Sequence, residues 1–113
     1  MSTLSTHILD TAHGTPAAGV AITLERRDGD SWEPLGTGST DADGRATALG
    51  GDTPLTPGTF QLTFSIGAYL RAAHGTAGFY EDVPIQFVIS ANDEHLHVPL
   101  LISPFGYTTY RGS

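Results

Sequence analysis

The chain has 113 residues, a formal net charge of -7, five arginines and neither lysine nor cysteine. That length accommodates one domain over residues 1–113, and by size scaling such a chain buries roughly 65% of the surface its unfolded form exposes. A cysteine-free chain has no disulfide framework or thiolate metal site and suits a reducing compartment, while five scattered arginines against twelve acids cannot form the basic stripe that binding to nucleic acid requires.

Met1 to Leu9 lacks the basic and unbroken apolar stretches of a signal peptide, and no apolar run approaches the ~18 residues of a membrane span. The expected setting is cytoplasmic, without a membrane partner. The first run, Leu4 to Asp10, alternates Leu4, Thr6 and Ile8 with Ser5, His7 and Leu9, which predicts a strand with His7 off the core face. Val20, Ile22 and Leu24 alternate in the same way, and Asp28-Gly29-Asp30 reads as a hairpin turn into a strand over Trp32 to Ser39. Asp41-Ala42-Asp43-Gly44 is a tight turn whose glycine can take a positive φ, followed by a strand over Arg45 to Ala48. Phe60, Leu62, Phe64 and Ile66 mark the next strand. Gly67 to His74 is the one helical candidate, stopped by Gly75 and expected to cross an edge of the sandwich. Val83 to Ile89, His95 to Ser103 and Tyr107 to Arg111 complete eight strands. Short alternating runs punctuated by fourteen glycines and seven prolines predict an all-β sandwich or barrel.

In the run from His95, Leu96, Val98, Leu100 and Ile102 face the core, while His95, His97, Pro99 and Leu101 face away. Two solvent-facing histidines on a surface strand are the plain reading. A shared zinc is the sharper one, and it needs a third ligand from His7, His13, His74 or a carboxylate. Arg45, taken alone, reads as a surface arginine, and His13 and His74 as structural or exposed. Tyr110-Arg111-Gly112-Ser113 gathers a phenol, a guanidinium and a hydroxyl into four residues, unlike the dull, frayed ends that are usual.

Taken together, Leu4-Ser5-Thr6-His7-Ile8-Leu9-Asp10, Thr40-Asp41-Ala42-Asp43-Gly44-Arg45 and the stretch from His95 to Ser113 resemble the marks of the transthyretin-related family of 5-hydroxyisourate hydrolases. The likeness spans the whole chain, and the terminal Tyr-Arg-Gly-Ser is its most specific element, because hormone-carrying transthyretins lack it. Thr108 stands where serine is frequent, and Phe79-Tyr80-Glu81 lacks a proline often found there. The resemblance implies a transthyretin-like, two-sheet, eight-stranded β-sandwich with one short helix, assembled as a homotetramer (a dimer of dimers) with active sites at the dimer-dimer interface. The implied reaction opens the lactam ring of 5-hydroxyisourate, giving 2-oxo-4-hydroxy-4-carboxy-5-ureidoimidazoline in urate degradation, with no cofactor and no metal.

Carried over residue by residue, His7 and His97 are catalytic, one activating or orienting water and the other moving a proton, in an order left open. Arg45 binds the ureide and stabilises charge. Tyr110, Arg111, Gly112 and Ser113 close the pocket, with the Ser113 hydroxyl or carboxylate orienting water or substrate and Arg111 tethering that carboxylate. His95 is not carried over as catalytic. The alternative is a transthyretin-like carrier that holds a small molecule in the same channel without catalysis, and a second rival is a metal-dependent hydrolase built on His95 and His97.

Overall fold

The computed structural model describes residues 3–47, 49, 55–75 and 78–113. The alternating runs become nine strands among them: β1 (Thr3–Asp10), β2 (Thr15–Pro16), β3 (Ala21–Asp28), β4 (Ser31–Ser39), β5 (Arg45–Thr47), β6 (Gly58–Ser65), β7 (Asp82–Ile89), β8 (His95–Ser103) and β9 (Gly106–Thr109), with helix α1 (Ile66–His74) between β6 and β7. One sheet has the order β4-β3-β6-β7 and is antiparallel throughout. In the other, β8 lies between β9 and β1, and both β5 and β2 pair with the far edge of β1. The β1–β8 pairing is parallel. Ile8, Leu100 and Ile102 meet Ile22, Leu24, Phe60, Leu62 and Phe64 in a core where all are essentially inaccessible, each large side chain contributing roughly 2 kcal/mol of burial.

The eight expected strands are present. The ninth, β2, is two residues long, too short for any alternation to reveal it. The Ala48 end of the fourth expected strand lies outside the described residues. β9 ends at Thr109 rather than Arg111, and Pro99 explains the early stop: it has no amide hydrogen to give the ladder. The Thr109 hydroxyl instead donates to the Pro99 carbonyl at 2.7 Å. The chain then rejoins β8 through a single bridge, Gly112 to His97.

Helix α1 buries Ile66, Gly67 and Leu70 and ends at Gly75, whose left-handed φ of 71° lets its N–H close on the Arg71 carbonyl at 3.0 Å. It is not apolar or long enough to cross a membrane, and no other described helix exists to do so. Two bonds from the Arg71 guanidinium to the Glu81 carboxylate, at 2.9 and 3.0 Å, tie it to the approach to β7. Its other tie is Asp10, wholly buried at the end of β1. One Asp10 oxygen accepts the Ala12 and His13 amides; the other accepts the Tyr69 hydroxyl at 2.9 Å and His74 Nε2 at 2.8 Å. Burial pushes the Asp10 carboxyl up, but those donors, Tyr69 foremost, outweigh it and hold it below the usual carboxylate value. Burial and Asp10 together push the Tyr69 phenol up to about 12. His74 is thus structural, and His13 stacks on it with ring centroids 4.0 Å apart.

Candidate active site

The parallel register sets Thr3 beside His95, Ser5 beside His97 and His7 beside Pro99. Since side chains alternate along a strand, Ser5, His7, His95 and His97 share the outer face, opposite the buried Leu4, Thr6, Leu96 and Val98. On the other edge of β1, β5 places Arg45 opposite His7 and Thr47 opposite Ser5. Arg45 is delivered there by the preceding turn, in which one Asp41 carboxylate oxygen accepts the amides of Asp43 and Arg45 at 2.9 and 3.0 Å. Gly44 is required in that turn. Its φ is 74°, and a Cβ there would sit 2.4 Å from the Ile8 carbonyl oxygen. The same turn orients His7, whose Nε2–H donates to the Asp43 carbonyl at 2.9 Å, which makes Nδ1 the acceptor nitrogen of the neutral ring.

His97 is held from two directions. Its Nδ1 lies 2.9 Å from the Ser5 hydroxyl, which also lies 3.0 Å from His95 Nε2. The Gly112 N–H donates to the His97 carbonyl at 2.8 Å, and a Cβ on Gly112 would come within 2.6 Å of the imidazole Cδ2. Half-buried, His97 has its imidazolium disfavoured first by lost solvation and then by the charges of Arg45, His7 and His95, with Ser5 only partly offsetting them. Its pKa is held below the ordinary 6.5, which favours the neutral ring.

An open cleft of about 390 Å³ lies over this face, lined by Ser5, Arg45, Thr47, His95, His97 and Ser113. That is room for one small planar ring and its waters. Among the described residues the Arg45 guanidinium has no hydrogen-bond or ion-pair partner, which leaves its planar fork free for a ligand with paired oxygens.

His97, Arg45 and Ser113 therefore meet in one cleft, with His7 at its side opposite Arg45. Tyr110 and Arg111 do not line it. They line a neighbouring recess of about 220 Å³ with Ile85, Phe87, Leu96 and Val98, and His97 borders both cavities. Arg111 Nη2 donates to Asp93 Oδ1 at 3.1 Å, in the turn between β7 and β8. Ser5 and Thr47 carried no signal as sequence, because an isolated hydroxyl on a strand is ordinary until its neighbours across the sheet are known. Among the described residues, His95 and His97 do not assemble three metal donors. The three-donor group among the described residues is Asp10, His13 and His74, whose ligand atoms lie within 4.8 Å of one another, away from the cleft.

Residues 4–112 match the model of the HIUase/Transthyretin family. A 5-hydroxyisourate hydrolase of Caulobacter vibrioides is 48% identical over 116 aligned residues, covering all of both chains. The solved 5-hydroxyisourate hydrolase of Klebsiella pneumoniae superposes with a TM-score of 0.86 at 43% identity, again over both whole chains. Transthyretin from Sparus aurata shares the fold at a TM-score of 0.87 and 32% identity, with 96% of this chain and 95% of that one covered. The two-sheet sandwich, the outer-face histidines and these full-length likenesses converge: the chain belongs to the HIUase/Transthyretin family.

Proposed function

We propose that this chain hydrolyses 5-hydroxyisourate, a planar cyclic ureide, opening its lactam ring in urate degradation. The observation that carries the proposal is the pairing, in one cleft, of the His97 imidazole, whose charged form is disfavoured, with an Arg45 guanidinium that has no partner among the described residues. It is supported by full-length likeness to proteins named for that substrate. Lactam hydrolysis needs a nucleophilic water and a home for charge growing on the carbonyl oxygen. His97 Nε2, the nitrogen not turned to Ser5, takes the water proton and later gives it to the leaving ring nitrogen. His7 Nδ1 orients the same water. The Arg45 fork holds the ureide oxygens and stabilises the developing charge. Ser113 closes the cleft, and Gly112 fixes the His97 backbone.

The proposal includes a homotetramer, a dimer of dimers in which a second copy covers the cleft and excludes water, bringing Tyr110 and Arg111 toward the substrate. Several features support this assembly. β7 and β9 end their sheets with outer edges that pair with no described strand, and Phe105, Phe79, Val88 and Tyr110 are large apolar or aromatic side chains left more than half exposed. Light scattering of the purified protein tests it, and a stable monomer would remove it. A cytoplasmic setting belongs to the same proposal and is tested by cell fractionation. The polar lining of the cleft disfavours the carrier reading, since a channel for a bulky aromatic hormone calls for apolar walls.

The deciding experiment follows the ultraviolet decay of freshly made 5-hydroxyisourate with no protein, with wild type and with His97→Ala. Fast decay with wild type alone is expected. Equal decay in all three defeats the enzyme reading, and tight thyroid-hormone binding without hydrolysis would establish the carrier instead. Activity lost to a chelator and restored by zinc would revive the metal-dependent rival.

A further inference from the structure

The outer face of the β1–β8 pair holds a chain of side chains that extends past the catalytic histidine. Thr3 Oγ1 bonds His95 Nδ1, His95 Nε2 meets Ser5 Oγ at 3.0 Å, and Ser5 Oγ meets His97 Nδ1 at 2.9 Å. The parallel register makes this arrangement: Thr3 and Ser5 alternate with His95 and His97 along adjacent strands, each hydroxyl beside the next imidazole. Ser5 has one hydrogen to donate and two histidine nitrogens in reach, so it donates to one ring and accepts from the other. The tautomers of His95 and His97 are therefore coupled through it. We propose that Ser5 and His95 form a proton relay behind His97, which lets His97 Nε2 act as base without the ring having to carry the positive charge. The inference rests on the proposed hydrolysis and deepens it.

Before reaction, His97 Nδ1–H donates to Ser5 Oγ, the Ser5 hydroxyl donates to His95 Nε2, and His95 Nδ1–H donates to Thr3 Oγ1. As water attacks the carbonyl, its O–H bond breaks and a His97 Nε2–H bond forms. The His97 Nδ1–H proton passes to Ser5 Oγ, and the Ser5 hydroxyl proton passes to His95 Nε2. His97 ends neutral, in its other tautomer, and His95 becomes the imidazolium. When the tetrahedral intermediate collapses, His97 Nε2–H protonates the leaving ring nitrogen and the three transfers reverse. No proton is gained or lost over the cycle.

The electrostatics of the face favour this direction. The titratable groups acting on His97 are Arg45 from β5, His7 from β1 and His95 from its own strand; together with its burial they disfavour a charge on its ring. His95 is the more exposed of the two rings and its Nδ1–H has the Thr3 hydroxyl oxygen as acceptor, so burial opposes a charge there less than at His97. Moving the charge there places it where it is better tolerated. His95 thus has a positioning and relaying role, without touching the reacting atoms.

The test compares Ser5→Ala, Ser5→Thr, His95→Ala, His95→Gln and the double variant Ser5→Ala/His95→Ala, measuring kcat and KM on fresh 5-hydroxyisourate alongside the tautomer of His97 by nitrogen NMR. Ser5→Ala and His95→Ala should each lower kcat about 10- to 100-fold, within the general range for assisted proton transfer, with KM within about 2-fold of wild type. The double variant should be no slower than the worse single one, because both remove the same path. Ser5→Thr keeps the hydroxyl and should recover most of kcat. His95→Gln can still hydrogen-bond Ser5 but cannot take up the proton, so it should be as slow as His95→Ala. A His95→Gln enzyme with wild-type kcat, or a Ser5→Ala enzyme whose His97 keeps the Nδ1–H tautomer and full turnover, overturns the relay. If wild type itself does not hydrolyse the substrate, the proposed function fails; the NMR arm still reports whether Ser5 couples the two rings.

Discussion

Gly112→Ala is the sharpest perturbation available, because it adds a single methyl against the His97 ring. Its Cβ would lie 2.6 Å from His97 Cδ2 and 3.2 Å from both Cγ and the His97 carbonyl oxygen, so the ring or the tail must move about 0.8 Å to reach ordinary contact at 3.4 Å. Ser5 holds the far side of the ring at 2.9 Å, which turns the push into a displacement of Nε2 within the cleft. Misplacing a reacting group by about 1 Å costs on the order of 10²-fold in rate. We expect kcat for 5-hydroxyisourate to fall by about that factor. Stability should change by only about 1 kcal/mol, the worth of the single Gly112–His97 backbone bond. Gly106→Ala is the matched control in the same sheet, since its Cβ would meet only Ser103 Oγ at 3.7 Å. Initial rates of substrate decay, with thermal unfolding of each variant, make the comparison. A folded Gly112→Ala enzyme as fast as Gly106→Ala would refute the claim that the tail positions His97.

Two further predictions concern titration. With His97 as the proposed base, activity should be lost as pH falls through its folded pKa, and the acid limb of kcat/KM should lie below 6.5; its NMR titration should move upward in Arg45→Gln, though only partly because burial is the larger cause, and a limb above 6.5 would contradict the electrostatics described. Asp10→Ala removes the acceptor of four donors, the Ala12 and His13 amides, the Tyr69 hydroxyl and His74, and should cost about 3 kcal/mol in urea unfolding. Because the Asp10 carboxyl is held below 3.8 in the fold, the stability it adds is complete above that value and is lost as pH falls through its lower folded one. The gap between wild type and Asp10→Ala should therefore narrow in acid, and a constant gap would show that the charge is not what matters.

Much of this architecture was legible because side-chain alternation is local. Ile22, Leu24, Phe60, Leu62 and Phe64 advertised their faces, and the Asp41-to-Gly44 turn advertised the entry of Arg45. The pairing of β1 with β8 was not legible, since nothing local in Thr3–Asp10 specifies a partner 92 residues away. For the same reason Ser5 was visible only as a residue sharing a face with His7, never as the group between two imidazoles. Asp10 was hidden differently: its place in the alternation points inward, yet aspartate is rarely buried unless several donors converge, and two of its four come from the far-off helix. Arg111 went to Asp93 because both lie on the side of the sandwich toward β7, which the tetrapeptide alone could not reveal.

The parallel β1–β8 ladder also bears on how the chain folds. Its hairpins, such as β3–β4, close over a few residues, whereas bringing Ser5 to His97 closes a loop of 92. Closure entropy rises with loop length, and non-local strand pairing is the slow kind. The hairpin sheet can thus form before the catalytic surface exists. In a refolding experiment, recovery of turnover should lag behind recovery of β-sheet circular dichroism, making the enzyme's own activity a clock for the last long-range step.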